Sequence, residues 1–511
     1  MNEHRIGIID IGSNSVRLVV YERTAHGAHR VIDGSKRPAR LSERIDDQGN
    51  LSAEAMSELL GTLSHFRLIC AHNRTGEIRA VATAAIRNAS NRAVILEAIK
   101  AETGLDIELL SGEQEAAFGF LGMINAMDLE DGLLVDIGGG STEVSLFRGR
   151  KLQHSVSFPF GCVSLNRRFA SKGMLSDEAL RALDNAALEA FKSVPWLAKA
   201  QGLPMIGVGG TARALGKIHQ AATNYPFHQT HNYAIPGGDA EMVFDQLRAL
   251  PLDKRSKFPG LSKDRVDVIV PGLAVLRQLY KLTKASGYII CGAGLRDGIF
   301  HDTRFSQEST HQDVLGFSLH NISMLHPAAP MQHVSQVNRL ALQLYDELRE
   351  LHQMPSRARI LLDAASSLFR IGASIDYYDY AKHTFYLIVN SHLNGLSHKE
   401  ILITASIASY KSKSRARQQL RPYKEMLVES DYELICRLGT LLQLASALDR
   451  SETQALSRLA VSLTPEQLKL HAVRPSSSLT VERLEVGELA PEFSKLWKLT
   501  PVLELPDYIQ A

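Results

Sequence analysis

Two short polar turns in the first third of the chain have the composition of phosphate-binding loops. Each turn follows an apolar strand that ends in an aspartate, Asp10 or Asp136. The small polar residues of the two turns are Asn14 and Ser15 in the first, and Gly138, Gly139, Gly140 and Ser141 in the second. Such turns present unpaired backbone N–H groups in a concave array that binds anionic oxygen. An ordinary hairpin turn is the commoner outcome for one isolated glycine-rich turn.

A third glycine-rich loop favours the phosphate interpretation. Gly209, Gly210 and Thr211 follow an apolar strand and begin a helix. The positive end of the helix dipole would therefore add to the attraction for an anion. Three such loops, two of them in related positions, are better explained by phosphate binding than by three unrelated turns.

Carboxylates beside bound phosphate need a cation between the two negative charges. Asp10 and Asp136 directly precede their turns, and Glu143 lies on the same loop as Asp136. Mg²⁺ fits this need because it keeps several water molecules and binds through one or two carboxylates. We therefore predict that Asp10, Asp136 and Glu143 hold Mg²⁺. The alternative is that each aspartate only caps its turn by hydrogen bonding to backbone N–H groups. For Asp10 the capping and metal-binding interpretations are equally supported. For Asp136 the nearby Glu143 favours metal binding.

A run of acid and amide side chains begins a further helix at residues 111–116. Ser111 followed by Gln114 is a capping box, which explains the serine and one of its followers without any chemistry. Glu113, Gln114 and Glu115 in succession exceed what a cap requires. By itself this run is a weak indication of a catalytic carboxylate.

These motifs need a scaffold, and an internal repeat supplies one. With Asp10 aligned on Asp136, an offset of 126 residues, the Asp-Ile-Gly segments coincide, as do Ser15 and Ser141. Each copy has the pattern of strand, turn and strand, followed by another turn and a third strand. The repeat predicts two duplicated α/β lobes that face each other across a cleft, with both turns pointing inward.

The remaining elements complete a four-domain prediction. Helices are predicted at 52–71 and 176–199 and strands at 77–82 and 205–208, whereas residues 311–450 have helical spacing throughout. The tail alternates in hydrophobicity and contains one short helix around 492–499. The predicted domains are α/β lobes at 1–126 and 127–305, an all-helical domain at 306–455 and a small α+β domain at 456–511.

The composition is that of an ordinary globular protein. Hydrophobic residues make up 45% and charged residues 22% of 511 residues, and the formal net charge is +2. This balance excludes a nucleic-acid coat and a polyacidic tail. The four cysteines are scattered, and neither a signal peptide nor an apolar run of about 20 residues is recognisable. We expect a cytoplasmic protein without nucleic-acid or membrane partners.

Five motifs together resemble the exopolyphosphatase / guanosine pentaphosphate phosphatase (Ppx/GppA) family of the sugar kinase–actin–Hsp70 superfamily. They are Asp10-Ile-Gly-Ser-Asn-Ser, Ala82-Thr-Ala-Ala-Ile-Arg-Asn-Ala, Ser111-Gly-Glu-Gln-Glu-Ala, Asp136-Ile-Gly-Gly-Gly-Ser-Thr-Glu and Gly292-Ala-Gly-Leu-Arg-Asp-Gly. The resemblance extends from about residue 5 to about residue 302. It implies that both lobes have the actin-like (ribonuclease H-like) fold.

The resemblance also implies a role for individual residues. Glu115 would be the general base, Asp136 and Glu143 would organise Mg²⁺ and the attacking water, and Arg87 would hold the terminal phosphoryl group. The implied phosphate ligands are Asn14, Ser15, Thr83, Gly138, Gly139, Gly140, Ser141, Gly209, Gly210 and Thr211. The family usually has glutamate where this chain has Gln114, which leaves the base at Glu115 unaffected.

The function implied by the resemblance is hydrolysis of the terminal phosphoanhydride bond of inorganic polyphosphate. Hydrolysis of guanosine pentaphosphate uses the same motifs and is the first alternative. A non-catalytic sensor of alarmones or polyphosphate is the second, and guanosine tetraphosphate is a further candidate ligand. Stimulation by K⁺ and a homodimer are also expected from the resemblance.

The helical domain resembles an HD-type phosphohydrolase module that has lost its metal site. His333 and Asp449 occupy plausible ligand positions, but the central His-Asp pair is replaced by Phe369 and Arg370. Phenylalanine cannot bind a metal and arginine would repel it, so a second active site is not expected. His383 is interpreted as a surface or packing residue.

Two basic runs are candidate guides for a polyanion, although a solvated helix face explains such runs equally well. The first comprises Lys411, Lys413, Arg415, Arg417, Arg421 and Lys424, and the second Lys254, Arg255, Lys257, Lys263 and Arg265.

Overall fold

The computed structural model describes residues 2–171, 173–304, 310–327, 329–473 and 475–505. The chain divides into two compact units, Met1–Val314 and Leu315–Ala511. The first unit contains the two predicted lobes, and the second contains the helical segment and the C-terminal sheet. The predicted domain boundaries within each unit stay predictions.

The first lobe is a five-stranded sheet in the order β3-β2-β1-β4-β5 with helices around it. Its strands are β1 (Asn2–Ile11), β2 (Ser15–Arg23), β3 (His29–Pro38), β4 (Thr75–Ala82) and β5 (Ile107–Leu109). Its helices are α1 (Ala53–His72), α2 (Ala84–Arg87), α3 (Arg92–Thr103) and α4 (Gly112–Ala126). The predicted helix at 52–71 is confirmed: Ser52 caps α1 by accepting a hydrogen bond from the Ala55 N–H at 3.2 Å.

The second lobe is a six-stranded sheet in the order β10-β11-β9-β6-β7-β8. Its strands are β6 (Gly132–Ile137), β7 (Thr142–Arg148), β8 (Lys151–Phe158), β9 (Met205–Val208), β10 (Tyr233–Ile235) and β11 (Tyr288–Ile290). Its helices are α5 (Cys162–Phe169), α6 (Asp177–Lys192), α7 (Gly209–Ala222), α8 (Gly237–Ala249), α9 (Leu252–Arg255), α10 (Ile269–Thr283) and α11 (Leu295–Arg304). The predicted helix at 176–199 ends earlier, at Lys192, since Pro195 keeps the preceding residue out of the helical conformation.

The two sheets share one topology, which confirms the predicted duplication. Strands β3-β2-β1-β4-β5 of the first lobe correspond in order to β8-β7-β6-β9-β11 of the second, and β10 is an added edge strand. In each lobe the first strand pairs antiparallel with the second and parallel with the fourth. Strand β1 is therefore central, and its isoleucines at 6, 8, 9 and 11 are buried. The aspartates that end β1 and β6 consequently emerge at the same edge of their sheets.

The second unit is helical with a three-stranded sheet at its C-terminal end. Its helices are α12 (Val314–Leu325), α13 (Met331–Glu347), α14 (Arg349–His352), α15 (Ser356–Leu368), α16 (Tyr380–Asn390), α17 (His398–Ala408), α18 (Lys413–Leu420), α19 (Glu429–Ala447) and α20 (Thr480–Trp497). Its strands are β12 (Leu459–Leu463), β13 (Gln467–Ala472) and β14 (Thr500–Glu504), in the order β12-β13-β14.

The short helix predicted around 492–499 is in fact the end of a longer helix, α20. Pro491 lies inside it, although proline ordinarily interrupts a helix. Phe493 and Trp497 are buried, and their rings stack with centroids 5.6 Å apart. Burial of two aromatic side chains outweighs the local preference of the proline. Among the described residues, no helix is long and apolar enough to cross a bilayer.

Candidate active site

The turns of the two hairpins meet at a cavity of about 140 Å³ in the first unit. The turns are in direct contact, because a Cβ atom on Gly139 would lie 3.0 Å from Ser13 Cβ and 3.1 Å from Asn14 N. Glycine at this position therefore allows the close approach. Predicted residues that line the cavity are Asp10, Asn14, Ser15, Thr83, Glu115, Asp136, Gly138, Gly139, Ser141, Glu143, Gly209 and Gly210.

The two hairpins present different charges at equivalent positions. Asp10 pairs across the first hairpin with Arg17, and Asp136 pairs across the second with Glu143. Residues directly opposite each other on antiparallel strands project from the same face. Since Arg17 and Glu143 differ by the repeat offset of 126, the duplicated site holds one carboxylate and one guanidinium on one side and two carboxylates on the other. The duplication thus produces an asymmetric site.

The cavity is lined by four arginines to which the sequence analysis gave no role in the site. They are Arg17, Arg213, Arg265 and Arg296. Three of them had a signal in the sequence: Arg17 is the repeat counterpart of Glu143, Arg213 lies in the third glycine-rich loop and Arg296 lies in the last of the five motifs. Arg265 was placed only in the second basic run, a candidate guide for a polyanion.

The arginines repel one another inside the cavity. Burial, followed by repulsion from Arg296 and Arg213, lowers the pKa of Arg17 to about 10. The pKa of Arg213 is also lowered, chiefly by burial and then by Arg296. Arg296 contacts the Asp10 carboxylate at 3.4 Å. A concentration of partly unneutralised positive charge favours the entry of an anion.

Arg265 reaches the cavity by passing directly over the start of α7. Its guanidinium occupies the space in which a Cβ atom on Gly210 would lie. Gly209, the first residue of α7, has a φ of +74°, a conformation that favours glycine. The loop therefore delivers both a helix N-terminus and the Arg265 guanidinium to the cavity.

Glu115 enters the cavity from the first turn of α4. The capping box at this helix uses Ser111 and Gln114: the serine hydroxyl accepts from the Gln114 N–H at 3.1 Å, and the glutamine oxygen accepts from the Ser111 N–H at 2.8 Å. Glu113 is exposed. The cap therefore accounts for Gln114 and leaves Glu115 as the carboxylate that faces the cavity.

The environment of Glu115 combines burial with one cationic partner. Arg87 Nη1 donates to Glu115 Oε2 at 2.6 Å and to the Leu110 carbonyl at 2.6 Å. Burial raises the pKa of Glu115 to about 7, and the hydrogen bond from Arg87 opposes that rise. Protonation of Glu115 thus changes near neutral pH, where a general base is most effective.

The other carboxyl groups also carry raised pKa values. Burial raises the pKa of Glu143 well above its usual range, with repulsion from Glu115 and Asp136 as the next causes. Ser157 Oγ donates to Glu143 Oε1 at 2.8 Å. Burial likewise raises the pKa of Asp136 and of Asp10. A cation bound between these carboxyl groups would favour their ionised forms.

Three predicted residues lie away from the cavity surface. Arg87 stands behind Glu115, Gly140 is next to the Ser13 side chain, and Thr211 is buried close to Gly272. Thr83 lines the cavity and its hydroxyl donates to the Ile11 carbonyl at 3.4 Å. The phosphate-binding roles assigned to these residues stay predictions.

Two of the cavity carboxylates have an arrangement that suits Mg²⁺. No group of three or more His, Cys, Asp or Glu side chains within the described parts of the chain is arranged to hold a metal ion. Asp136 and Glu143 are nevertheless cross-strand neighbours, and Mg²⁺ is commonly bound by one or two carboxylates together with water and substrate phosphates. Asp10 is engaged by Arg296, so the donor set fits Mg²⁺ best at Asp136 and Glu143.

Two family models match this chain. The Ppx/GppA phosphatase family matches residues 19–306, and domain III of the Ppx/GppA phosphatases matches residues 328–493. The chain belongs to the Ppx/GppA phosphatase family. The predicted resemblance is thereby confirmed, and the structure bears out the predicted order of two duplicated α/β lobes, a helical segment and a small C-terminal sheet. Membership in this family makes the chain a phosphatase, a hydrolase whose substrates are polyphosphates or nucleotides.

Solved structures agree with the family. A Ppx/GppA family member from Aquifex aeolicus is 27% identical, with a TM-score of 0.52, over 60% of this chain and 98% of that chain. An exopolyphosphatase from Cytophaga hutchinsonii is 25% identical, with a TM-score of 0.55, over 60% of this chain and all (100%) of that chain.

In the second unit, His333 and Asp449 form a buried pair with His333 Nδ1 2.8 Å from Asp449 Oδ2. The Phe369 ring packs on His333 with centroids 5.7 Å apart, and Arg370 pairs with Glu452. His383 is partly exposed.

The two basic runs differ in structure. All six cations of the first run are exposed on α18, beside its start or on the 3₁₀ helix that follows it. The second run is divided: Lys254, Lys257 and Lys263 are exposed, whereas Arg265 lines the cavity and Arg255 is buried and donates to the carbonyls of Leu247, Leu250 and Val266. The role of this run as a guide for a polyanion stays a prediction. An arginine in a basic run can thus serve as an internal hydrogen-bond donor.

Proposed function

We propose that this chain is an exopolyphosphatase that removes orthophosphate from the end of inorganic polyphosphate, with Glu115 as the general base. The observation that carries the proposal is a Glu115 carboxyl group with a pKa raised to about 7 inside a cavity lined by four arginines. Phosphoryl transfer is catalysed mainly by positioning and by neutralisation of charge. The arginines supply the second requirement, and the three glycine-rich loops supply the first.

The chemistry assigns separate tasks to the two sides of the cavity. Arg17, Arg213 and Arg296 would bind the terminal phosphate groups, while backbone N–H groups of the turns orient them. Glu115 would take the proton from a water molecule as its oxygen attacks the terminal phosphorus, and the shortened chain would leave with the bridging oxygen. When bound at Asp136 and Glu143, Mg²⁺ would neutralise charge on the phosphate oxygens. Stimulation by K⁺ remains part of the proposal.

Guanosine pentaphosphate is the competing substrate. None of the residues that line the cavity of the first unit is aromatic, so that cavity offers a purine base no ring on which to stack. This observation favours a chain of phosphates. A homodimer is also proposed, and light scattering of the full chain tests it.

Parallel phosphate-release assays decide between the substrates. We expect a higher kcat/KM for long-chain polyphosphate than for guanosine pentaphosphate, with dependence on Mg²⁺ in both assays. A clearly higher value for the nucleotide would sink the proposal, and absence of release from either would favour the sensor alternative.

Replacement of the base tests the mechanism. Glu115→Gln should reduce kcat by about 10²- to 10⁴-fold with little change in KM. Glu113→Gln is the matched control, because Glu113 lies in the same helical turn but is exposed. Equal activity of the two variants would remove Glu115 from the mechanism.

A further inference from the structure

A second cavity, of about 470 Å³, lies within the second unit and has no part in the proposed hydrolysis. Its walls come from helices α13, α16, α17, α19 and α20 and from the segments between them. A volume of this size is typical of sites for small organic ligands. The cavity combines aromatic side chains with charged ones, namely Phe369, Tyr377, Tyr380 and Tyr410, and Arg370, Lys411, Arg450, Glu452, Glu485 and Glu488.

Two side chains that line this cavity, His333 and Gln443, each carry a buried atom with no hydrogen-bond partner among the described residues. His333 is 1% exposed, and its Nδ1 is held by Asp449 at 2.8 Å, whereas its Nε2 is unpaired. In the neutral imidazole the carboxylate holds the ring proton on Nδ1, which leaves Nε2 as an acceptor. Gln443 donates from Nε2 to the carbonyls of Tyr410 and Lys411, and its Oε1 is unpaired. Each buried unsatisfied group costs about 1–3 kcal/mol, so a ligand with N–H donors would gain from both.

The same cavity offers positive charge to an anion. Arg370 Nε is buried without a partner, and the guanidinium lies 5.9 and 5.5 Å from the ring centroids of Tyr377 and Tyr380. Lys411 and Arg450 are exposed beside it. Arg370 and Arg450 pair with glutamates, at Glu452 and Glu485, and an incoming phosphate can replace those partners.

A metal ion does not explain the unpaired atoms. The Phe369 ring lies beside His333, with the two ring centroids 5.7 Å apart, and cannot bind a metal. The described residues also contain no cluster of three metal-binding side chains. An anionic ligand that carries hydrogen-bond donors fits the observed groups instead.

We propose that this cavity binds a nucleoside phosphate. The heterocyclic base enters between the aromatic walls and donates N–H groups to His333 Nε2 and Gln443 Oε1. Its phosphate groups lie against Arg370, Lys411 and Arg450. The site is separate in sequence from the hydrolytic cavity and contains none of its residues.

Calorimetric titration of the full chain with ADP and with GDP tests the proposal. The protein carries Glu115→Gln, which keeps hydrolysis from consuming the probes. At least one nucleotide should bind, and Lys411→Glu or Gln443→Leu should each weaken its Kd by about 10-fold or more, the effect of losing one charge-assisted or buried hydrogen bond. Lys413→Glu is the matched control, since Lys413 is equally exposed but does not line the cavity.

Every other outcome overturns the proposal. If neither nucleotide binds at millimolar concentration, the cavity is not a nucleotide site. If binding survives both substitutions unchanged, the nucleotide binds elsewhere, for instance in the first unit. If pyrophosphate alone binds as tightly as the nucleotide, the base makes no contact and the assignment of His333 and Gln443 fails.

Discussion

Replacing Arg87 by methionine should move the pH dependence of hydrolysis to higher pH. Arg87 Nη1 lies 2.6 Å from Glu115 Oε2, and burial raises the Glu115 pKa to about 7 against the opposing effect of this arginine. A neighbouring arginine lowers a carboxyl pKa by about 1–3 units, so its removal should raise the pKa of Glu115 to about 8–10.

The size of the effect follows from the fraction of Glu115 that is ionised. At about pH 7.5 this fraction would fall from about three quarters to between about one quarter and about 0.3%. The value of kcat/KM should therefore fall by about 3- to 200-fold at that pH and recover as the pH rises towards about 10. Phosphate release from polyphosphate, measured across this pH range, gives the position of the acidic limb.

Arg79→Met is the matched control. Arg79 and Arg87 have side chains that are both 22% exposed, and each forms an ion pair, but Arg79 contacts Glu108 and Asp302 away from the cavity. Its replacement should leave the pH profile unchanged. A loss of activity in Arg87→Met that is the same at every pH would refute the reasoning and would favour direct binding of the terminal phosphoryl group by Arg87.

Three further predictions follow from individual contacts. Gly210→Ala should lower kcat/KM by at least about 10-fold because the new methyl group displaces the Arg265 guanidinium, whereas Gly238→Ala, in open space, should not; an equal loss in both would contradict this. The pKa of His301 is lowered, chiefly by burial, from 6.5 to about 3, so the unfolded chain binds a proton that the folded protein excludes, and stability falls as pH falls. Lowering the pH from about 8 to about 5 should reduce the free energy of unfolding by about 2 kcal/mol more in the wild type than in His301→Phe, as measured by urea unfolding. Arg255→Met should lower the free energy of unfolding by about 3 kcal/mol, because three buried carbonyl groups lose their hydrogen-bond donor. Lys254→Met, at the exposed neighbouring position, should have little effect.

Local patterns and the internal repeat were sufficient to predict the fold. The offset between Asp10 and Asp136 predicted two lobes of one topology, and the strand order of both sheets bears this out. Ser52 predicted the start of α1 because a capping serine acts within one helical turn. Where a burial effect competes with a local preference, as at Pro491 in α20, the sequence pattern misled.

The site was predictable in its loops and much less so in its charges. Glycine-rich turns and terminal aspartates are contiguous motifs, so Gly139 and Gly209 could be proposed from their local pattern, whereas the role of Glu115 came from the resemblance to the family. Arg265 could not, since the chain around it resembles any exposed basic run and only the approach of this segment to Gly210 brings the guanidinium into the cavity.

The sequence alone determined that this protein contains two duplicated hairpins with acidic strand ends and small polar turns, because those features depend on residues close together in the chain. Only the tertiary structure decided which charges share the cavity. Burial and mutual proximity then set their protonation: Arg87 became the partner of Glu115, and Arg17 came to lie near Arg213 and Arg296. Electrostatic interactions depend on distance in space and on exclusion of water, and neither is encoded in the spacing of residues along the chain.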